Sequence, residues 1–96
     1  MTDERLEMTA LISAKPGKEA ELKAALREVV AETVKEPGCL MFKVFEDREN
    51  PGKFVLWEIF TSQEALREHI NKDYTKAYFA TGLMERTHVM KLKSLL

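Results

Sequence analysis

The run Phe54-Val55-Leu56-Trp57-Glu58-Ile59-Phe60 constrains this chain most, because it is apolar on both sides of a strand and carries one carboxylate. Successive side chains on a strand point to opposite faces, so Phe54, Leu56, Glu58 and Phe60 share one face and Val55, Trp57 and Ile59 the other. Such a strand belongs inside a sheet with both faces covered. Glu58 then sits among aromatics, where an ionised carboxylate is costly unless it meets a partner, a water or a ligand. Beyond it, Ala65, Leu66, His69 and Ile70 form an apolar stripe at helical spacing that turns an imidazole inward. Function is to be sought where these two titratable groups meet apolar surroundings.

The flanking segments read clearly. Leu6 to Ala14 alternates with a strand period, with Leu6, Met8, Ala10, Ile12 and Ala14 on one face, and Lys15-Pro16-Gly17 breaks it. From Lys18 the period becomes helical: Leu22, Ala25, Leu26, Val29, Val30, Thr33 and Val34 form a stripe that predicts an amphipathic helix of about five turns. Glu36-Pro37-Gly38 stops it. Cys39 to Glu46 predicts a second strand, with Leu40, Phe42 and Val44 opposing Cys39, Met41 and Phe45. Asp47 to Lys53 has hairpin chemistry, so this strand pairs antiparallel with Phe54 to Phe60. Thr61 or Ser62 caps the next helix, with Glu64 completing a capping box from Thr61, and that helix runs to about Asn71. Asp73 caps a further helix that carries Tyr74, Ala77, Tyr78 and Thr81 inward and ends at Gly82. His88 to Leu95 alternates as a last strand.

Ninety-six residues, 45 % of them apolar and 32 % charged, predict one folded domain spanning 1–96 that needs no metal or disulfide staple. A formal charge of -1 supplies no field for a phosphate backbone or an anionic membrane, which argues against nucleic acid as a partner. No apolar run approaches the roughly 20 residues of a membrane helix. One cysteine, Cys39, and a polar start from Met1 to Arg5 point to a reducing cytoplasm. Glu, His and Cys show no metal-ligand spacing, and there is no glycine-rich phosphate loop.

Strand, helix, strand, strand, broken helix, strand is the split βαβ order of ferredoxin-like α+β domains: one antiparallel sheet with helices on one face. Helices cover only one face. The apolar opposite faces of the second and third strands therefore predict a homodimer with sheets packed face to face.

In this order and spacing, three segments are together fairly specific. They are Lys15-Pro16-Gly17-Lys18, Glu36-Pro37-Gly38-Cys39-Leu40, and Phe54 to Phe60 leading to Ala65-Leu66-Arg67-Glu68-His69. With them the chain resembles, nearly end to end, the antibiotic biosynthesis monooxygenase domain, a dimeric α+β barrel family that includes quinol monooxygenases. The resemblance implies a pocket between the sheet and the second and third helices. It also implies oxidation of a small aromatic or quinol by O2 with no metal, flavin or other cofactor. A phenol reduces O2 readily only as its anion, so such a site needs a base near neutral pH, an apolar cage and donors for oxyanion charge. His69 suits the base, with an unperturbed pKa of about 6.5. Glu58 supports it by orienting the imidazole or accepting a proton.

Departures from the family pattern mark the pocket positions. Quinol-oxidising relatives carry an asparagine and a tryptophan where this chain has Leu56 and Phe60. Many members place a second histidine where Tyr74 stands, and haem-degrading relatives use an axial histidine where Phe79 stands, which argues against haem degradation. Tyr74 and Tyr78 share a helical face from which they stack on an aromatic substrate or bind its hydroxyl.

Structural readings stand beside these. His69 reads equally as a satisfied core histidine, Glu58 as half of an ion pair, and the two tyrosines as packing. Trp57 reads as interface packing, Cys39 as a small buried hydrophobe, and His88 as solvent-facing or interfacial. The alternative activities are non-catalytic binding of a small molecule, as in a stress-response domain, or isomerisation of a small signal metabolite.

Overall fold

The structure, a computed structural model, describes residues 5–96; the polar opening residues before Arg5 lie outside the described residues. Seven elements follow in order: β1 (Leu6–Ala14), α1 (Glu19–Thr33), β2 (Cys39–Glu46), β3 (Lys53–Phe60), α2 (Gln63–Ile70), α3 (Asp73–Ala80) and β4 (Met84–Leu92). The strands form one open antiparallel sheet in the order β2-β3-β1-β4. Because β3 inserts between β1 and β2, the first crossover is split, and the fold is the ferredoxin-like α+β arrangement.

The core lies between the helices and one sheet face. Met8, Ala10 and Ile12 of β1 and Phe54, Leu56 and Phe60 of β3 meet Leu22, Leu26 and Val29 of α1. The alternation expected of β3 holds, and Glu58 joins the buried set on the covered face; in β1 Thr9 is buried along with Met8, Ala10 and Ile12, its hydroxyl donating to the Leu56 carbonyl at 2.9 Å. Gly38 makes a close approach: a Cβ there would stand 2.5 Å from the Ala65 Cβ. With no side chain in the way, the start of α2 settles against the entry to β2, where the Thr61 N–H donates to the Gly38 carbonyl at 2.9 Å. In the hairpin loop, Asp47 accepts from the Glu49 N–H and from the Asn50 amide, both at 2.9 Å, while Gly52 takes the left-handed turn at φ +88°.

Several expected details are corrected. α1 ends at Thr33 rather than running to Lys35, because Glu36 N–H turns back to the Thr33 carbonyl at 3.0 Å ahead of Pro37. Ser62 alone caps α2, accepting from Ala65 N–H at 3.0 Å; Glu64 is one residue too early to close a box on that cap. Lys72, not Asp73, precedes α3, and it makes no side-chain cap. On α3 the buried residues are Thr75 and Tyr78; Ala77 and Thr81 are exposed. A register shift between Cys39 and Met41 frees Leu40 to solvent and turns Cys39 toward the core. β4 begins earlier than His88 and ends at Leu92.

The uncovered sheet face is apolar. Leu11, Phe45, Trp57, Met90 and Leu92 are exposed there, and the Trp57 indole N–H donates to Glu7 at 2.8 Å. Among the described residues, no helix is long and apolar enough to cross a membrane.

Candidate functional site

A cavity of about 370 Å³ lies between the covered sheet face and the helices. Its floor is Met8, Ala10 and Ile12 of β1 with Leu56 and Glu58 of β3. Leu66 and His69 of α2 and Thr75 and Tyr78 of α3 form its roof. Exposed Ile70 of α2, Phe79 of α3, and Val89 and Lys91 of β4 complete the lining. The volume falls in the range of small-ligand pockets, and the lining is mostly apolar with a few polar groups.

His69 enters this space because its place on α2 follows the apolar stripe of Ala65 and Leu66. Its Nδ1 lies 2.9 Å from Glu36 Oε2, and both side chains are 7 % exposed. The Tyr74 hydroxyl donates to the same Glu36 oxygen. That oxygen is therefore an acceptor, which assigns a proton to His69 Nδ1, so that in the neutral imidazole the lone pair stands on Nε2. Phe42 and Phe60 flank the imidazole, their centroids 5.3 and 5.1 Å from its own. The Tyr74 phenol is held well above its ordinary pKa, first by burial and then by its bond to Glu36.

Glu58 is the second titratable group of the cavity. It is 5 % exposed, and burial pushes its carboxyl up to about 7. No hydrogen bond or ion pair to another described residue engages it. The Thr75 and Tyr78 hydroxyls are likewise buried without a partner among the described residues, and burial pushes the Tyr78 phenol up to about 12.

The expected site residues are thus divided. His69, Glu58, Leu56, Tyr78 and Phe79 line one cavity. Phe60 does not: it is 0 % exposed and packs beneath His69. Tyr74 also faces elsewhere, bordering a shallow groove between α1 and α3 while its hydroxyl serves Glu36. The group that orients the imidazole is Glu36, not Glu58. In the sequence Glu36 reads only as part of a helix stop, and its one signal is that it is a carboxylate next to a Pro-Gly break. Trp57 points to the opposite face from Glu58, as alternation requires. The Cys39 thiol is pushed up by burial, then by the Glu36 and Glu58 carboxylates, which suits a packed residue rather than a nucleophile. His88 is exposed on the uncovered face, paired with Leu11. Among the described residues no group of three or more His, Cys, Asp or Glu is placed to hold a metal.

A sequence model of the antibiotic biosynthesis monooxygenase family matches residues 6–81, which takes in β1 through α3 and so every helix that roofs the cavity. The chain belongs to the antibiotic biosynthesis monooxygenase family. This family member is 33 % identical over 71 residues to YjcS of Bacillus subtilis, itself uncharacterised, covering 74 % of the chain and 68 % of YjcS. It is 26 % identical over 72 residues to sll1783 of Synechocystis, also uncharacterised, covering 75 % of the chain and about half of that protein, 49 %. In three dimensions it is similar to PA3566 of Pseudomonas aeruginosa, with TM-score 0.91 and 29 % identity over 100 % of this chain and 98 % of that one.

Proposed function

We propose that this protein oxidises a small phenol or quinol with O2 in the cavity between sheet and helices, with no metal or organic cofactor. The observation that supports the reading is the buried Glu36–His69 pair, in which Nδ1 stands 2.9 Å from the Glu36 carboxylate while His69 lines a mostly apolar cavity. His69 Nε2 takes the phenolic proton, and Glu36 stabilises the imidazolium that forms. The substrate anion passes one electron to O2, and the two radicals join at a ring carbon as a peroxide. Protonation and loss of water then convert that C–H carbon into a carbonyl. One oxygen atom enters the product and the other leaves as water, so the substrate supplies all four electrons and no outside reductant is needed. Glu58, poised near neutrality, accepts and returns a proton at the peroxide stage.

The partner we propose is a second copy of this chain, seated on the apolar sheet face that carries Phe45, Trp57 and Met90. A cytoplasmic setting, read from the lone Cys39, belongs to the same proposal. Equilibrium sedimentation at micromolar concentration checks the assembly: a dimer mass is expected, and a monomer removes it.

Oxygen uptake with a panel of hydroquinones tests the chemistry, with flavin and metal excluded by absorbance and elemental analysis. Wild type is expected to consume O2, and His69→Ala to lose about 100-fold or more of that rate. Turnover undiminished in His69→Ala removes the base assignment. No uptake with any phenol favours the reading as a non-catalytic binding domain.

A further inference from the structure

The cavity has a floor and a roof, but its rim is bare. Ile70 of α2, Phe79 of α3 and Val89 of β4 all line it, and all three are large apolar side chains left exposed. β4 is an edge strand, exposed along nearly its whole length, so the helices leave this side of the sheet open. Apolar side chains from three elements around one opening make a patch that favours a cover.

The chain itself supplies one. Residues 93–96 follow β4 without regular structure, and Leu95 and Leu96 stand almost wholly in solvent. Lys91, just before them, lines the cavity and shares a row of the sheet with Met8 and Glu58. The tail therefore starts beside the rim, level with Glu58. From Lys91 to Leu95 an extended chain spans up to roughly 13 Å, whereas a sphere of the cavity's volume, about 370 Å³, is roughly 9 Å across, so the two leucines reach over the opening. The Ser94 hydroxyl donates to the Leu96 carbonyl at 3.2 Å and accepts from the Leu96 N–H at 3.3 Å, which bends the tail away from the strand direction.

We infer that residues 93–96 are a ligand-responsive lid: when the cavity is filled, the tail folds over the rim, and Leu95 and Leu96 settle on Ile70, Phe79 and Val89 of the same chain. This deepens the function proposed above, and it rests on the cavity being the ligand site. Burying two leucines favours closure, ordering four residues opposes it, and the two terms are of similar size, so neither state dominates by itself. An apolar ligand adds surface for the leucines to cover. Only the closed state makes that contact, so binding shifts the population toward it. Closure shuts water out of the space where the substrate anion meets O2.

Stopped-flow release of β-naphthol tests the lid, comparing wild type with the double variant Leu95→Ser/Leu96→Ser, whose positions are exposed and outside the core. The variant is expected to release the probe roughly five- to tenfold faster, with its association rate little changed. An unchanged release rate overturns the lid. In the β-naphthol complex of wild type, nuclear Overhauser contacts from the Leu95 and Leu96 methyls to Ile70, Phe79 or Val89 are expected within one chain. Samples that mix isotope-labelled with unlabelled chains separate these from contacts between chains. Contacts between chains alone overturn the inference by giving the tail to a second copy, and the absence of any contact overturns it outright. Failure of β-naphthol to bind wild type overturns the inference together with the cavity, an outcome distinct from binding without oxygen uptake, which counts against the oxidation alone.

Discussion

Glu36 and Glu58 are buried to almost the same degree, with Glu36's side chain 7 % exposed and Glu58 5 % exposed, yet their surroundings differ completely. Glu36 lies in the turn after α1, and one of its oxygens is engaged by His69 and Tyr74. Glu58 lies on a strand facing a cavity, without a partner among the described residues, and its carboxyl is pushed up to about 7. The difference teaches that burial alone does not define a carboxylate's role. Partnered, it becomes a fixed part that orients another group; unpartnered, it keeps its acid–base capacity for whatever enters.

The largest expected effect comes from removing the partnered carboxylate. Glu36→Ala strands the His69 Nδ1–H and the Tyr74 hydroxyl, and a loss of about 2 to 5 kcal/mol is expected in urea unfolding. The same variant lowers the Tyr74 titration seen by ultraviolet absorbance without bringing it to the ordinary tyrosine value, because burial is the larger cause of its rise. A loss below about 1 kcal/mol would break the contrast, since it would make Glu36 as dispensable as an exposed residue.

Glu58→Gln should act in the opposite direction. A carboxyl whose folded-state pKa is raised contributes stability that is complete below about 4.5, its ordinary value, and lost as pH rises through about 7. Wild type is therefore expected to match the glutamine variant near pH 4 and to fall behind it by up to roughly 3 kcal/mol at pH 8. Thermal unfolding across that range measures the gap. A gap that stays constant with pH would mean that Glu58 finds a partner in solution.

The smallest effect sharpens the picture of Glu36. Tyr74→Phe removes one of its two donors and leaves the His69 bond in place, so a loss of about 1 kcal/mol is expected, with His69-dependent oxygen uptake largely kept. A collapse of uptake in this variant would show that the phenol, rather than the carboxylate alone, fixes the imidazole.

The contrast also marks how far local pattern carries. Glu58 was legible: alternation along Phe54 to Phe60 sets its face, and the covered face follows from the partition of Phe54, Leu56 and Phe60 from Trp57. His69 was legible in the same way from its place beside Ala65 and Leu66. The face of α3 was not, because Tyr74, Ala77, Tyr78 and Thr81 are spaced as well for packing on α1 as on the sheet, and the angle at which α3 lies chose Thr75 and Tyr78 for burial. The placement of Leu40 failed for a similar reason, since a bulge shifts the alternation by one residue without a mark in the sequence.

The sequence by itself determined the elements, their order and the faces on which Glu58 and His69 stand. Side-chain direction repeats with the period of the backbone, and that period is written in neighbouring residues. Only the tertiary structure decided that Glu36, rather than Glu58, holds His69, and that the cavity runs from Glu58 past Met8 to Lys91. Those contacts join residues far apart in the chain. They exist because the turn after α1 swings a carboxylate under α2 and α3 while β1 sets β3 and β4 on its two sides, an arrangement that no local period encodes.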